Sequence, residues 1–363
     1  MAFQEGTAEA DPGTAPDQKP PILIVGNFLS ESIGIRMVCE DLALRLRSRG
    51  WSVLTASNKK NRAARLLDML ATVWLKRRRF AAAQIDVYAG PAFLFAEVVA
   101  ASLSALRCPF ALTLHGGALP DFAAKWPRRV RRVLRSAAVV TAPSLYHQEG
   151  LRQYRPDIHV IRNGIDIALY PARTLEKARP RLVWIRAFHS IYNPVLAIDV
   201  VALLLNDFPE TELVMVGADK GDGTLAQMTE RVRKLGLDNR VRIIGSVPKL
   251  EIPHVLQEGD IFLNTTNLDN APVTVVEAMA CGLCVVSTNV GGIPNLLTPE
   301  RDALLVPPSD SQAMAAAVKR ICEDPGLART LSGNARLTAE AFDWERLLPE
   351  WEEVFTRMVK AGS

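Results

Sequence analysis

The sequence predicts an α/β protein made of two Rossmann-like, doubly wound domains. Three observations carry that expectation. Twelve short runs rich in β-branched residues recur along the chain, six in each half. Segments with helical spacing lie between many of them. A charged stretch with two prolines and no apolar period, "LYPARTLEKARP", separates the halves. Continuous apolar runs are what strands covered on both faces require, and strand–helix alternation produces parallel sheets. At 363 residues the chain is long enough for two domains, each with its own core.

The opening "MAFQEGTAEADPGTAPDQKP" is small, polar and proline-rich and has no apolar h-region. It reads as a disordered tail over residues 1–20 and not as a signal peptide. The first six runs, "PILIVG", "SVLTAS", "IDVYAG", "FALTLHG", "AAVVTAP" and "IHVIRNG", assign a first domain to residues 21–172. Between the first two, "MVCEDLALRLRSRG" has helical spacing and ends on a glycine stop signal. The join is expected between Tyr170 and Pro180. A second domain over 173–342 follows from "RLVWIR", "ELVMVG", "VRIIGS", "DIFLNT", "CVVSTN" and "ALLVPP". The last segment, "FDWERLLPEWEEVFTRMV", is amphipathic with aromatic anchors, and predicts a helix over 343–363 docked on the body.

Composition narrows the function classes. A hydrophobic content of 48% with 23% charged residues is ordinary for a globular protein. No run approaches the roughly 18 apolar residues of a membrane-spanning helix. Five cysteines are an odd number in a chain with no export signal, which argues against a disulfide framework. Cys281 and Cys284 spell C-x-x-C without a second pair or a nearby histidine, so they read as packing residues and not as a zinc site. The net charge of +4 is uneven: the chain through Tyr170 carries +9, and the remainder −5. Much of the excess lies in "WLKRRRF" and "KWPRRVRRVLR". The second interleaves Trp126, Val130, Val133 and Leu134 with five arginines, as in a basic amphipathic helix. Two readings stand: a solvated helix face with one apolar stripe, or a patch that meets an anionic membrane surface. Nucleic acid is not expected as a partner, because no stacking-aromatic or groove-reading motif is present.

Doubly wound sheets invite a dinucleotide reading, which needs G-x-G-x-x-G after the first strand and an acid near the end of the second. Here those places read "GNFLSESIGIRM" and "ASNKK". No Walker A and no G-x-S-x-G elbow occur either. What remains is "TTNLDNAPVTVVEAMACGLCVVSTNVGG". Pro272 suits the first turn of a helix, with Asn270 or Ala271 near the cap and Gly282 just past the end. Free N–H groups around Val273 and Thr274 would cradle a diphosphate. Asp269 precedes that mouth, and Glu277 falls too late to lie at it. Two acids so placed suit a long ligand with hydroxyls at both ends and a diphosphate in the middle, the layout of a sugar nucleotide.

The stretch "DNAPVTVVEAMACGLCVVSTNVGGIPNLL", supported by "IRNGID", "ELVMVGAD" and "FDWER", resembles the family-4 retaining glycosyltransferases of the GT-B fold. The resemblance covers nearly the whole chain after the tail. It implies two domains facing a central cleft, a nucleoside-diphosphate sugar as donor, and a hydroxyl of a glycan or lipid-linked molecule as acceptor. It implies that Glu277 binds the ribose and that Asp269, in place of the usual glutamate, lies by the donor sugar hydroxyls. Arg186 of "WIRAFHSIYNP" matches the family's phosphate arginine, whereas Tyr192 stands where the family has a lysine. Lys220 of "GADKGDG" is the candidate replacement cation. His115 matches a histidine that contacts the donor sugar. Gly34 resembles the N-terminal glycine loop on the acceptor side, and Gly217, Gly245 and Val247 stand where the nucleobase is enclosed.

In such enzymes the departing phosphate takes the acceptor's proton on the same face, and no protein nucleophile is required. No metal is expected, since no D-x-D lies at a suitable strand end and "DKGDG" is the only acidic cluster. The expected location is cytoplasmic, peripheral on the inner face of the membrane, in polysaccharide biosynthesis. Two alternatives stay open: a GT-B sugar-nucleotide epimerase, and a non-catalytic partner subunit, for which Tyr192 and Asp269 speak.

Overall fold

A computed structural model of the chain describes residues 19–30 and 37–362. Its first sheet is parallel and contains β1 (Lys19–Val25), β2 (Trp51–Ala56), β3 (Ala82–Val87), β4 (Phe110–Leu114), β5 (Val139–Ala142) and β6 (Ile158–Val160), in the spatial order β2-β1-β3-β4-β5-β6. The second, also parallel, contains β7 (Arg181–Ile185), β8 (Glu212–Val216), β9 (Val241–Ile244), β10 (Ile261–Asn264), β11 (Cys284–Thr288) and β12 (Leu304–Val306), in the order β12-β11-β10-β7-β8-β9. Each of the twelve apolar runs forms one of these strands.

The strand order positions the sites. In an open α/β sheet, ligands bind beyond the carboxyl ends of the strands, where the winding reverses. The reversal lies between β1 and β3 in the first sheet, and between β7 and β10 in the second. Residues just past those four strands are therefore the places to look: Gly26 and Asn27, Tyr88, Arg186, and the segment from Thr265 to Asp269.

Alternation along β1 shows how the core is layered. Leu23 and Val25 join one apolar cluster, while Ile22 and Ile24 join another on the opposite face. That second face is closed from the far end of the chain. The helix Trp344–Gly362 lays Leu348, Trp351, Phe355 and Met358 over it, so the C-terminal helix covers the N-terminal sheet. The chain thus crosses between the two halves twice, once on leaving the first sheet and once on returning in this helix.

One local expectation is corrected. Pro272 is itself the cap of the helix Val273–Ala280, with extended backbone (φ −68°, ψ 113°), and does not lie in its first turn. Asp269 and Asn270 are consequently outside the helix. Gly282 follows the end with φ +74°, and a Cβ there would collide with the Arg173 carbonyl. The basic segment forms the helix that its spacing suggests. Its helix, Pro127–Ser136, buries Val130, Val133 and Leu134 in the core of its own domain, leaving Trp126 exposed. The apolar stripe is used internally, and Arg129 is held by Glu97 and lies over the rings of Phe93 and Phe122. Among the described residues no helix is long and apolar enough to cross a membrane. All five cysteines are free and buried, and burial pushes the thiols of Cys281 and Cys284 up to about 12.

Candidate active site

A cavity of about 350 Å³ opens at the reversal point of the second sheet. Arg186 enters it directly after β7, and Gly217 directly after β8. These two chain segments are in close contact: a Cβ on Gly217 would lie 1.8 Å from the Arg186 carbonyl oxygen, so only glycine fits. Val247 and Lys249 line the wall beyond β9, Lys220 the loop beyond β8, and Thr274 and Glu277 the helix Val273–Ala280. That helix presents its N-terminal end, where backbone N–H groups lack intrahelical partners and the dipole favours an anion.

The charged groups are paired across the cavity. Arg186 Nη2 donates to Asp269 Oδ2 at 2.6 Å, and its guanidinium lies 4.6 Å from the centre of the Tyr192 ring. Burial alone would pull the arginine's pKa down, but Asp269, with Tyr192 and Glu277 behind it, outweighs that effect and raises it. Its Nε–H is buried and has no hydrogen-bond partner among the described residues. A guanidinium with one edge neutralised by Asp269 and one donor unsatisfied is set up to receive an oxygen anion. Glu277 is only 1% exposed. Its Oε1 accepts a 2.9 Å bond from the Tyr170 hydroxyl and is ion-paired with Lys249. The contact with Glu277 and the burial of its ring push the tyrosine's pKa far up, burial being the larger cause, so the phenol stays a donor.

The sequence-predicted residues divide in three. Arg186, Gly217, Lys220, Val247, Thr274 and Glu277 meet around the cavity. Asp269, Val273, Gly245 and His115 do not line it: Asp269 acts through Arg186, Val273 is half-buried beside Thr274, and Gly245 is exposed with open space where a Cβ would be. Gly34 lies outside the described residues. The acids of "DKGDG" organise their own loop, Asp219 accepting from Gly221 N and Asp222 from Ser190 N. Among the described residues, no group of three or more His, Cys, Asp or Glu is arranged to hold a metal.

Three residues beside the candidate site are not singled out from the sequence. Lys249 and Tyr170 are brought to Glu277 from 28 and 107 residues away. Asp86, near the end of β3, takes Nε2 of His115 at 3.1 Å and the Gln84 amide at 2.9 Å on its Oδ1. An acid inside the otherwise apolar run "IDVYAG" is the one available sign of it.

The domains touch beside this site. Asn270 bonds the Ser144 hydroxyl and, at 3.2 Å, Nδ1 of His147, whose Nε2 meets the Gly116 carbonyl at 2.7 Å. Gly117 packs directly on the Asp269 backbone. Burial pulls the His147 pKa down to about 4, with the Gly116 carbonyl resisting and His115 assisting. The ring is therefore neutral, donating through Nε2 and accepting at Nδ1.

Comparison with known proteins now decides the family. The model of "Glycosyl transferases group 1" matches residues 170–338, and that of "Glycosyltransferase Family 4" matches 34–169. The chain belongs to this glycosyltransferase family. Its two parallel sheets form the GT-B fold, shared with a sucrose-phosphate synthase from Thermosynechococcus elongatus (TM-score 0.78, 18% identity, 94% of this chain and 100% of that one). Anabaena HepE, solved in complex with UDP-glucose, is also similar (TM-score 0.75, 19% identity, 93% and 100%). Among curated proteins, the chain is 24% identical to the "D-inositol 3-phosphate glycosyltransferase" of Jonesia denitrificans over 251 residues, 64% of this chain and 59% of that one. It is 26% identical to the "Glycogen synthase" of Mycobacterium tuberculosis over 231 residues, 61% and 55%. The matched stretch thus spans little more than half the length of these curated relatives.

Proposed function

We propose that this family member transfers a sugar from a nucleoside diphosphate to a hydroxyl of a glycan or lipid-linked acceptor, with retention at the anomeric carbon. The observation that carries the reading is the unpartnered Nε–H of Arg186 in a cavity that also receives Lys220, Lys249 and the end of the helix Val273–Ala280. This is the equipment needed to hold a diphosphate as negative charge builds on it. In the reaction, the bond between the anomeric carbon and the β-phosphate oxygen breaks, and a bond to the acceptor oxygen forms on the same face. The acceptor's proton passes to the departing phosphate oxygen, so the chain need supply no nucleophile.

In this reading Glu277 takes the ribose hydroxyls once Lys249 swings from it toward the diphosphate. Lys249 and Lys220 then provide the charge that Tyr192 cannot, while the Tyr192 ring lies beside the Arg186 guanidinium. Asp269 and His115 face the sugar, Val273 and Thr274 the diphosphate, and Gly217, Gly245 and Val247 the base. Residues 173–342 form the donor side, residues 21–172 the acceptor side including Gly34, and 343–363 tie the two together. An anionic membrane face is part of the proposal. Trp74 and Leu75, 53% and 84% exposed, stand beside "KRRR" at the end of the helix Arg62–Leu75 on the same domain as exposed Trp126. The helix Pro127–Ser136 adds arginines to that domain.

The test is release of nucleoside diphosphate from a panel of nucleotide sugars, starting with UDP-glucose by likeness to HepE, with and without membrane or glycan extracts. Release that requires the extract, with the sugar recovered in it, is the expected result. Conversion of a nucleotide sugar into its epimer with no net release of diphosphate points to the epimerase, and binding without turnover to the non-catalytic subunit.

A further inference from the structure

A second cavity, of about 310 Å³, lies at the other reversal point, beyond the ends of β1 and β3. That volume is at the low end for small-molecule sites and suits one compact ligand. Arg62 and Arg65, from the first turn of the helix Arg62–Leu75, line it together with Asp86, Tyr88, Phe95 and Asn27. Its charges are arranged differently from those of the donor cavity. Among the described residues neither arginine has a carboxylate partner, and the two repel: burial first, then Arg62, lowers the Arg65 pKa. Arg65 is nevertheless fixed in place. Its Nε donates to the Lys59 carbonyl (2.7 Å), Nη2 to the Lys60 carbonyl (3.1 Å) and Nη1 to Asn27 Oδ1 (2.9 Å). That leaves one N–H on each terminal nitrogen uncommitted.

Asp86 supplies the second, independent observation. It lines the same cavity and is 8% exposed, yet among the described residues its Oδ2 has no partner but the weakly donating Cys39 thiol. Oδ1 is tied to His115, whose neighbours Gly116 and Gly117 lead directly to Asp269. A carboxylate wanting a hydroxyl donor, and a fixed guanidinium (Arg65) with a second, exposed one (Arg62) beside it, share one small chamber.

We infer that this cavity is the acceptor subsite and that it takes a polyol or sugar bearing an anionic group, a phosphate or phosphodiester on Arg62 and Arg65 with a hydroxyl on Asp86. The inference rests on the transferase reading and narrows its acceptor class. A free polyol phosphate and a phospholipid headgroup share this chemistry.

The test uses the full chain held in saturating UDP, so that the donor cavity is filled. Binding of glycerol 3-phosphate, glycerol and inorganic phosphate is measured at constant ionic strength, and phosphatidylglycerol vesicles form a separate arm. Glycerol 3-phosphate should bind, and its Kd should rise at least tenfold in both Arg65→Gln and the exposed Arg62→Gln, but not in Arg233→Gln on the far domain. Arg62→Gln keeps the test valid if loss of the Arg65 bonds disturbs folding. Binding to phosphatidylglycerol vesicles alone, weakened by the same two substitutions, assigns the headgroup as the source. If UDP binds but every anionic probe binds wild type and both variants alike, or binds none of them, this inference is overturned and the transferase reading stands. If no nucleoside diphosphate binds at all, the transferase reading itself fails.

Discussion

The two cavities occupy equivalent places in their sheets and handle charge in opposite ways. Beyond β7 and β10, both acids are matched to cations: Asp269 to Arg186, and Glu277 to Lys249. Beyond β1 and β3, among the described residues, Arg62 and Arg65 have no acid, and the acid that lines the cavity, Asp86, is turned to a histidine. A doubly wound sheet therefore fixes where a site lies but not what it binds; residues at the strand ends decide that. In the proposed reading, the first cavity exchanges its internal pairs for a ligand that carries both hydroxyls and phosphates. The second holds unbalanced positive charge before anything enters.

The largest effect that sharpens this contrast is on catalysis. Arg186→Ala should lower turnover by about 10²–10³-fold, the typical cost of losing one preorganised group that stabilises transition-state charge. Tyr192→Phe, which keeps the ring under the guanidinium, should change little. Both are read by donor turnover, with circular dichroism confirming the fold; near-normal turnover in Arg186→Ala would transfer the role to Lys249 or Lys220. Next is the pairing at Glu277. Glu277→Gln should weaken nucleoside diphosphate binding by about 1–3 kcal/mol, as for a lost charged hydrogen bond, seen in calorimetry with or without the sugar.

The junction between the cavities gives a pH signature. His147 has a folded pKa of about 4 against an ordinary value near 6.5, so the unfolded chain takes up a proton that the folded chain refuses. Stability should fall as pH drops through the window from about 6.5 to 4, by about 2 kcal/mol at pH 5, and no further on this account below it. His147→Gln should flatten the profile of melting temperature against pH across that window. The smallest effect belongs to the outer surface: each arginine of "KRRR" or of the helix Pro127–Ser136 that reaches an anionic bilayer contributes about 1 kcal/mol, fading with salt. Co-sedimentation with anionic and neutral vesicles at two ionic strengths should show that difference; equal, negligible binding to both leaves a solvated basic face.

Much of the fold was legible because parallel strands buried on both faces announce themselves as apolar runs, and all twelve are present as strands. The site was legible where chemistry sits in a contiguous motif, as with Arg186 after β7 and Glu277 within its helix. It was hidden where folding joins distant segments. Lys249 sits in "SVPKLE", which has no local pattern, and only the closure of that loop over the helix brings it to Glu277. Tyr170 looked like the edge of a linker, yet its hydroxyl is buried against the same acid. The arginine stripe left two readings open for the converse reason: periodicity shows that a face is apolar, and not whether its own domain or an outside surface will cover it.

The central claim is that the cavity between Arg186, Lys249 and Glu277 holds a nucleoside diphosphate. The most direct measurement is thermal unfolding of the wild type and Glu277→Gln with each common nucleoside diphosphate, since a ligand bound only by the native state raises the melting temperature. The account predicts that at least one diphosphate raises it for the wild type, more than the matching nucleoside does, and that the shift is largely lost in the variant. No shift with any nucleoside diphosphate, or an equal shift in both proteins, would contradict it.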